Sequence, residues 1–233
     1  GTRAASGAAL AAAKTFTFTT PTPRVAQSWP LGGPQHPDTP MFVLFDQKID
    51  AQAVLSKITV TANGKAVQVT KIDDAEIKKF LDDKKANPRA KQLAAMVDAA
   101  KRNEQDGRWL AFRAAQAFPK DAAIAITIPA GTPSAEGPNL TKVPQTFAFR
   151  TYPPLKLVES TCGYQNNCPP GTPFTLRFNN PLDADKFEET LVTASPDIPG
   201  MRVLQSSSVI NVMGATKAHT SYKATVSKNL VDD

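Results

Sequence analysis

The fold is decided by a stretch that occurs twice in the chain, as PMFVLFDQKIDA at residues 40–51 and as PFTLRFNNPLDA at residues 173–184. In the first part of each copy every second residue is apolar: Met41, Val43 and Phe45, and Phe174, Leu176 and Phe178. Alternate side chains of a strand point to the same face, so each copy predicts a strand with one face in a core. The constant offset of about 133 positions has the length of a domain rather than of a solenoid repeat, which predicts similar domains in tandem.

Further segments correspond in the same order after each copy. The matched segments are Ile58 and Val60 with Leu191 and Thr193 at the same offset, then WLAF at 109–112 with VINV at 209–212, and IAITI at 124–128 with YKATV at 222–226. Since strand follows strand in both copies, the predicted fold class is all-β, built of antiparallel β-sandwiches.

A closing strand is predicted at TFAFRT, residues 146–151, and a near copy of it, TFTFTT, stands at residues 15–20. We interpret the earlier copy as the last strand of a preceding repeat. Pro21 and Pro23 would stiffen the passage into the next domain.

These matches divide the chain into residues 1–20, which end in the last strand of a preceding repeat, 21–152, the first sandwich, and 153–233, the second. After Val226 the second copy has no counterpart of the closing strand, so it is predicted to be incomplete at its C-terminus. A sheet that lacks its last strand has an unpaired edge and an unfilled core. One hypothesis is that residues 16–19 of a neighbouring molecule fill this gap.

One segment, from about residue 74 to 105, breaks the β pattern. Asp73 and Glu76 form an Asp-x-x-Glu capping motif at its start, and Asn87-Pro88 places a second cap before a proline at the first helical position. Apolar residues then have helical spacing on one face: Leu93, Met96, Val97 and Ala100. We predict a helical insertion in the first domain, absent from the second, that packs over one end of the sandwich or serves as a binding element.

Two cysteines, Cys162 and Cys168, lie in the short polar loop TCGYQNNCPP of residues 161–170. This spacing favours a local disulfide and, with it, an oxidising compartment such as the periplasm. The alternative is a pair of free thiols. A zinc site would need more ligands, and the two histidines, His36 and His219, are isolated in the sequence.

The composition indicates a folded chain and limits the classes of partner that we expect it to bind. Of 233 residues, 41% are hydrophobic and 21% charged, and the formal net charge is +6. The basic residues are mixed with acids even in their densest group, Lys78 to Arg89, which is typical of a solvated helix face, so we predict no nucleic-acid partner. No apolar run approaches the roughly 18 residues that span a bilayer. Membrane contact is therefore expected only through an anchor outside this fragment.

No group of residues points to catalysis. A nucleophile needs a base beside it, whereas His36 lies in a loop predicted to be exposed and His219 stands just before a strand. Asp50 and Asp183 hold equivalent positions after a strand, where aspartate caps turns, and Gly32-Gly33-Pro34 is typical of a turn. We predict no enzyme activity and no catalytic, cofactor or metal site. The alternative, hydrolysis at the helical insertion, requires a pocket with converging polar groups beside it.

The order of these motifs resembles the bacterial Ig-like domains of surface proteins. In particular, the strand ending in Phe-[Asp/Asn], the middle strands and the closing Thr-Phe-x-Phe are similar to the N-terminal macroglobulin-like domains of bacterial α2-macroglobulins, over about residues 15 to 233. The resemblance implies tandem Ig-like sandwiches in a large periplasmic protein, often lipid-anchored to the inner membrane, that traps proteases. A protease cleaves a bait region, the trap changes shape, and in many members a thioester captures the attacker.

The sequence CGYQ at residues 162–165 fits the bare Cys-x-x-Gln spacing of that thioester. It lacks the usual Glu before Gln and has a second cysteine close by, so we do not assign the thioester to Cys162. The resemblance implies a non-catalytic scaffold whose partners are neighbouring domains of a parent protein and, for the whole protein, proteases. The alternative is a structural or adhesive Ig-like array of a bacterial surface protein.

Overall fold

The computed structural model describes residues 5–82, 88–163, 165 and 167–232, and most of their regular structure is β-strand. The strands are β1 Val25–Trp29, β2 Gly32–Gln35, β3 Met41–Phe45, β4 Thr59–Ala62, β5 Lys65–Val67, β6 Val69–Lys71, β7 Trp109–Ala114, β8 Ala123–Ile128, β9 Gln145–Thr151, β10 Leu157–Cys162, β11 Phe174–Phe178, β12 Val192–Ser195, β13 Arg202–Ser206, β14 Val209–Met213 and β15 Lys223–Val226. The α-helices are α1 Ala51–Leu55, α2 Asp74–Asp82 and α3 Pro88–Arg102, and a short 3₁₀ helix spans Glu189–Leu191. We call residues 25–151 the N-terminal half and residues 157–232 the C-terminal half.

The repeated stretch forms β3 and β11, which occupy the same place in two four-stranded antiparallel sheets. One sheet has the order β1-β3-β7-β6 and the other β10-β11-β14-β13. Matched residues face matched partners: Met41 with Phe112 and Val43 with Leu110 in one sheet, Phe174 with Val212 and Leu176 with Ile210 in the other. Both β1 and β10 also shift register after their first residue. The prediction that the two stretches form equivalent strands is confirmed.

Side-chain caps repeat along with the strands. The carboxylate of Asp46 and the amide oxygen of Asn179 each accept a hydrogen bond from the backbone N–H of the residue that precedes β1 or β10, at 2.8 and 2.7 Å. Asp50 and Asp183 each accept from the N–H groups two and three residues later. The predicted capping role of these two aspartates is confirmed, and in the N-terminal half the cap begins α1.

The remaining sheets differ between the halves. Five strands in the order β2-β9-β8-β4-β5 form the second sheet of the N-terminal half, whereas β12 pairs with β15 alone among the described strands of the C-terminal half. Apolar side chains from β3 and β7 meet those from β4, β8 and β9 in one core. A smaller core joins β11, β13 and β14 to β12. The chain is thus mostly β, with several antiparallel sheets.

The prediction of a turn at Gly32-Gly33-Pro34 is wrong. These residues begin β2, which runs parallel to β9 and forms the edge of the five-stranded sheet. Proline has no N–H to donate to a ladder, and an edge strand tolerates it because one of its sides needs no partner. This parallel pair is a departure from the purely antiparallel sandwich that we predicted.

The match of Val60 with Thr193 is also wrong. Val60 is buried in β4, but Thr193 in β12 is exposed, whereas the residues on either side of it, Val192 and Ala194, are buried and partly buried. A shift of one residue turns every side chain of a strand to the other face. Burial of the apolar valine therefore sets the register of β12, rather than the constant offset in sequence.

Helices α2 and α3 cover the outer face of the N-terminal four-stranded sheet. They bury Phe42 and Leu44, which point away from the main core, so that all five residues of β3 are buried. The equivalent residues of β11 are Thr175 and Arg177, and no helix covers that face in the part of the chain the structure describes. The C-terminal half instead joins β13 to β14 through the two-residue turn Ser207-Ser208.

The sequence features of the helices agree with the structure where it describes them. The Asp73 carboxylate accepts a hydrogen bond from the N–H of Glu76 at 2.8 Å, as an N-terminal cap. In α3, Leu93, Val97 and Ala100 are buried, and Met96 packs beside them. The predicted cap Asn87, with residues 83–86, lies outside the described residues.

Leu93→Ala should lower the free energy of unfolding by about 2 to 5 kcal/mol, because the leucine is fully buried between α3 and the sheet. Urea unfolding followed by tryptophan fluorescence measures this, since Trp109 packs against the same cluster. Leu81→Ala is the matched control, because Leu81 in α2 is 52% exposed. Equal small effects of both substitutions would contradict the packing of α3 on the sheet.

Candidate functional site

An open groove in the C-terminal half lies between β10 and β15. Its floor is formed by Phe174 and Leu176 of β11, and its cavity has a volume of about 370 Å³. Tyr222 and Ala224 form one wall, and the rings of Phe174 and Tyr222 are 6.4 Å apart. The other wall consists of Leu157, Ser160, Thr161 and Cys162 from β10. The groove is therefore apolar at its floor and more polar towards β10.

In the N-terminal half the corresponding space is filled by β9. This strand pairs antiparallel with β8 along six residues, and its side chains Phe147 and Phe149 pack into the main core. The ring of Phe149 contacts that of Phe118 edge-on at 5.8 Å. By the sequence match of β8 with residues 222–226, the same side of β15 would receive such a strand, and no described strand occupies it.

The groove leaves an apolar side chain of β10 in contact with solvent. Leu157, which lines the groove, is about half exposed, although β10 is hydrogen-bonded to β11 along its length. In a sandwich such positions are usually covered by the opposite sheet. Among the described strands β15 pairs with β12 alone, and the groove lies on its other side. The incompleteness of the second sandwich stays a prediction.

A disulfide joins Cys162 to Cys168 at one end of the groove, as the spacing of the two cysteines predicts. Gly163 follows with a φ of +63°, and a Cβ atom there would come within 2.0 Å of the carbonyl oxygen of Asn167, so only glycine fits. The N–H of Gly171 donates to the hydroxyl of Thr216 at 2.7 Å. This bond ties the disulfide loop to the segment that leads into β15.

The segment TFTFTT near the start of the chain is exposed. Residues 15–20 belong to no helix or strand in the structure, and Phe16 and Phe18 are 81% and 79% exposed. Their rings stack on each other at 6.3 Å. Just beyond them, Asn139 and Gln47 donate hydrogen bonds to the carbonyl oxygens of Thr20 and Pro21. The assignment of this segment to the last strand of a preceding repeat stays a prediction.

Two polar contacts lie where the two halves of the chain meet, one buried and one exposed to solvent. Asn180 is fully buried and donates from Nδ2 to the carbonyl oxygen of Pro153 and to Oδ2 of Asp232, both at 2.7 Å. Lys120, from the N-terminal half, donates to Asp232 at 2.9 Å. Burial by itself would raise the pKa of Asp232, but the hydrogen bonds from Lys120 and Asn180 outweigh it and lower that pKa.

A second cavity, of about 240 Å³, lies beside the helices. The described residues that line it are Asp38, Pro40, Ile72, Phe80, Arg89, Ala90 and Arg113. Their charged groups have partners, since Arg113 pairs with Glu76 and Asp38 with His36. This lining contains an acid and two arginines but no serine, cysteine, histidine or lysine. The alternative of hydrolysis at the helical insertion stays a hypothesis.

The two histidines differ in their surroundings. His36 is partly buried rather than exposed as predicted, and its hydrogen bond to Asp38 lowers the pKa of that carboxyl. His219 is exposed in a turn before β15. No group of three His, Cys, Asp or Glu side chains is placed to hold a metal ion among residues 5–82, 88–163, 165 and 167–232. Within the same residues, no helix has the length and apolar character needed to cross a membrane.

Replacing both cysteines, Cys162→Ser with Cys168→Ser, should lower the unfolding free energy by about 2 kcal/mol, since the disulfide closes a short loop. The loss should be confined to the C-terminal half. Trp29 and Trp109 both lie in the N-terminal half, so tryptophan fluorescence follows that half and far-UV circular dichroism follows the whole chain. A fluorescence transition that moves as far as the dichroism transition would contradict a local effect.

Asp232→Asn should lower the unfolding free energy by about 1 kcal/mol at pH 7, because Lys120 loses a charged acceptor but is partly exposed. The pKa of Asp232 is lower in the folded state, so its contribution is present above about pH 4 and is lost as the pH falls through the folded value. Urea unfolding at several pH values should show the difference between the two proteins shrinking below about pH 4. Asp106→Asn, at an exposed carboxylate, is the control. If the difference in unfolding free energy between the unmodified chain and Asp232→Asn did not depend on pH, the Asp232 carboxylate would not be its source.

Comparison of the sequence with protein-family models and with curated proteins finds no match to this chain.

Proposed function

We propose that this chain is part of the non-catalytic scaffold of a bacterial protease trap related to the α2-macroglobulins. The observation that carries the proposal is the shared plan of the sheets β1-β3-β7-β6 and β10-β11-β14-β13, with the same pairing of matched residues. Such a plan is what tandem domains of one kind would have. It supports the tandem Ig-like arrangement that the resemblance in sequence implies.

The helices fit this proposal as an insertion in one copy of a repeated unit. They stand between β6 and β7, where the other copy has the turn Ser207-Ser208. The outer face beneath them is apolar at Phe42 and Leu44, and polar at Thr175 and Arg177 in the other copy. The outer face is therefore apolar in the copy whose sheet is covered by helices and polar in the copy whose sheet is not. This difference favours descent of both copies from one unit, to which the N-terminal copy has added a pair of helices.

A scaffold role also fits the junction between the halves. Buried Asn180 donates to the carbonyl oxygen of Pro153 in the connecting segment, and the solvent-exposed ion pair of Lys120 with Asp232 joins the two halves directly. A junction with direct polar bonds resists bending more than a solvated linker does. In a trap that changes shape, these halves would move together as a spacer.

The disulfide supports an extracytoplasmic location, since such bonds persist mainly in oxidising compartments. The compartment we propose for the trap is therefore the periplasm, with any attachment to the inner membrane made by an anchor outside this fragment. Its partners would be neighbouring domains of the parent protein and the proteases that the whole protein captures.

The test is a trapping assay on the full-length protein that contains this chain. The protein is incubated with a broad-specificity protease, and cleavage of a small peptide and of a bulky protein substrate is then compared. A trap encloses the protease without blocking its active site, so peptide cleavage should persist while protein cleavage falls. The 233-residue chain alone, at the same molar concentration, is the control and should change neither.

Two other outcomes would contradict the proposal. Equal loss of both activities would indicate an inhibitor that blocks the protease active site. No change in either would favour the alternative, a structural or adhesive array of Ig-like domains on the bacterial surface.

A further inference from the structure

We propose that Asn63 is a site of spontaneous covalent modification, at which the side-chain amide is lost and the turn between β4 and β5 is rebuilt in a form that loosens the edge of the five-stranded sheet. This inference does not depend on the protease-trap proposal. It rests on the sequence Asn63-Gly64, on the exposure of the turn and on the hydrogen bonds that Asn63 makes to β8.

Asn63 and Gly64 form the two-residue turn between β4 and β5. Ala62 pairs with Lys65 at the base of the turn, and φ is 49° at Asn63 and 78° at Gly64. An Asn-Gly pair favours such a turn because both residues tolerate positive φ. Both are exposed, and a Cβ atom on Gly64 would meet nothing within 4 Å. The turn is therefore open to water and free of side chains that would obstruct a ring closure.

The glycine after Asn63 makes the side-chain amide reactive. The main-chain nitrogen of Gly64 attacks Cγ of Asn63, and the new N–Cγ bond closes a five-membered succinimide ring. The Cγ–Nδ2 bond breaks, and the side-chain nitrogen leaves as ammonia with the proton that Gly64 gives up. Water then opens the ring at one of its two carbonyl carbons. Opening at one carbon gives aspartate, and opening at the other gives isoaspartate, in which the main chain passes through Cγ.

The other asparagines of the sequence lack this neighbour. Gly64 is the only glycine that follows an asparagine. Asn87 and Asn180 precede prolines, which have no N–H group. At the remaining asparagines the side chain of the next residue crowds the attacking nitrogen. We therefore expect Asn63 to react before every other asparagine of the chain.

Hydrogen bonds to β8 restrain Asn63 in the folded chain. Its N–H donates to the carbonyl oxygen of Ala123 at 2.8 Å, and its Oδ1 accepts from the N–H of Ala123 at 2.9 Å. Rotation of the side chain towards Gly64 breaks the second bond, so the reaction should proceed when the end of the hairpin opens. Strand β5 favours such opening, because it is an edge strand with three paired residues and little buried surface.

The two products should affect the sheet differently. Aspartate keeps an oxygen for the N–H of Ala123 and leaves the main chain unchanged. Isoaspartate adds a methylene group to the main chain of a two-residue turn, and the accepting carbonyl becomes part of the peptide bond with Gly64. The pairing of β5 with β4 should then weaken, and Val67, which faces Val60 and packs against the main core, should become more exposed.

Ageing of the intact chain tests the site. During incubation at mildly alkaline pH and body temperature, a more acidic form should accumulate and be separable by ion exchange. Peptide mapping by mass spectrometry should then find aspartate and isoaspartate at position 63. Asn63→Gly is the matched control, because a Gly-Gly pair also suits this turn but has no amide to lose. The control should form no acidic variant over the same time.

Urea unfolding of the separated forms tests the consequence. The isoaspartate form should unfold at a lower urea concentration than the fresh chain. Asn63→Asp has the structure of the aspartate product, and it should unfold at about the same concentration as the fresh chain. Urea below the unfolding transition should also speed the loss of the amide, since it favours opening of the hairpin.

Three outcomes would overturn the proposal. No acidic form of the native chain would show that the two bonds to Ala123 keep Asn63 unreactive. Equal accumulation in the native chain and in Asn63→Gly would place the reaction at another residue. An isoaspartate form as stable as the fresh chain would show that this turn does not hold the edge of the sheet.

Discussion

The antiparallel pairing of β3 with β7, repeated as β11 with β14, is the constraint on which the rest of the structure depends. Once Met41 faces Phe112, the alternation of the strand places Val43 and Phe45 on the same side, towards the core. A slip of one residue would turn this whole set away from the core. The Asp46 and Asp50 caps and the shared irregularity of the first strand then follow at fixed distances along the chain.

The sequence predicted these features well because each depends on neighbouring residues. Alternating apolar residues identify a strand, Asp73 before a helical pattern identifies a helix start, and two cysteines in a short loop identify a disulfide. Features that depend on distant residues were missed. The Gly32-Gly33-Pro34 segment has the composition of a turn, and only the free edge of β9 makes it a strand. The exposure of Thr193 likewise depends on the opposite sheet.

The run MFVLF shows how local pattern and tertiary structure combine. The sequence predicts one buried face for this strand, and the structure buries both, because α2 and α3 cover Phe42 and Leu44. A continuous apolar run cannot by itself show whether its second face meets a helix, a sheet or solvent. The groove beside β15 likewise depends on the folded chain, which brings its floor at Phe174 and Leu176 next to the disulfide at its end.

The unequal cover of β3 and β11 gives the chain a gradient of local stability. Strand β3 has a hydrogen-bonded neighbour on each edge and apolar layers on both faces, whereas β11 has the neighbours but an outer face of Thr175 and Arg177 and a groove on its inner side. Local opening is easiest where few apolar contacts must be broken. Under a pulling force or in mild denaturant, the C-terminal half would therefore yield first, and the helix-covered half would persist as the last folded part of the chain.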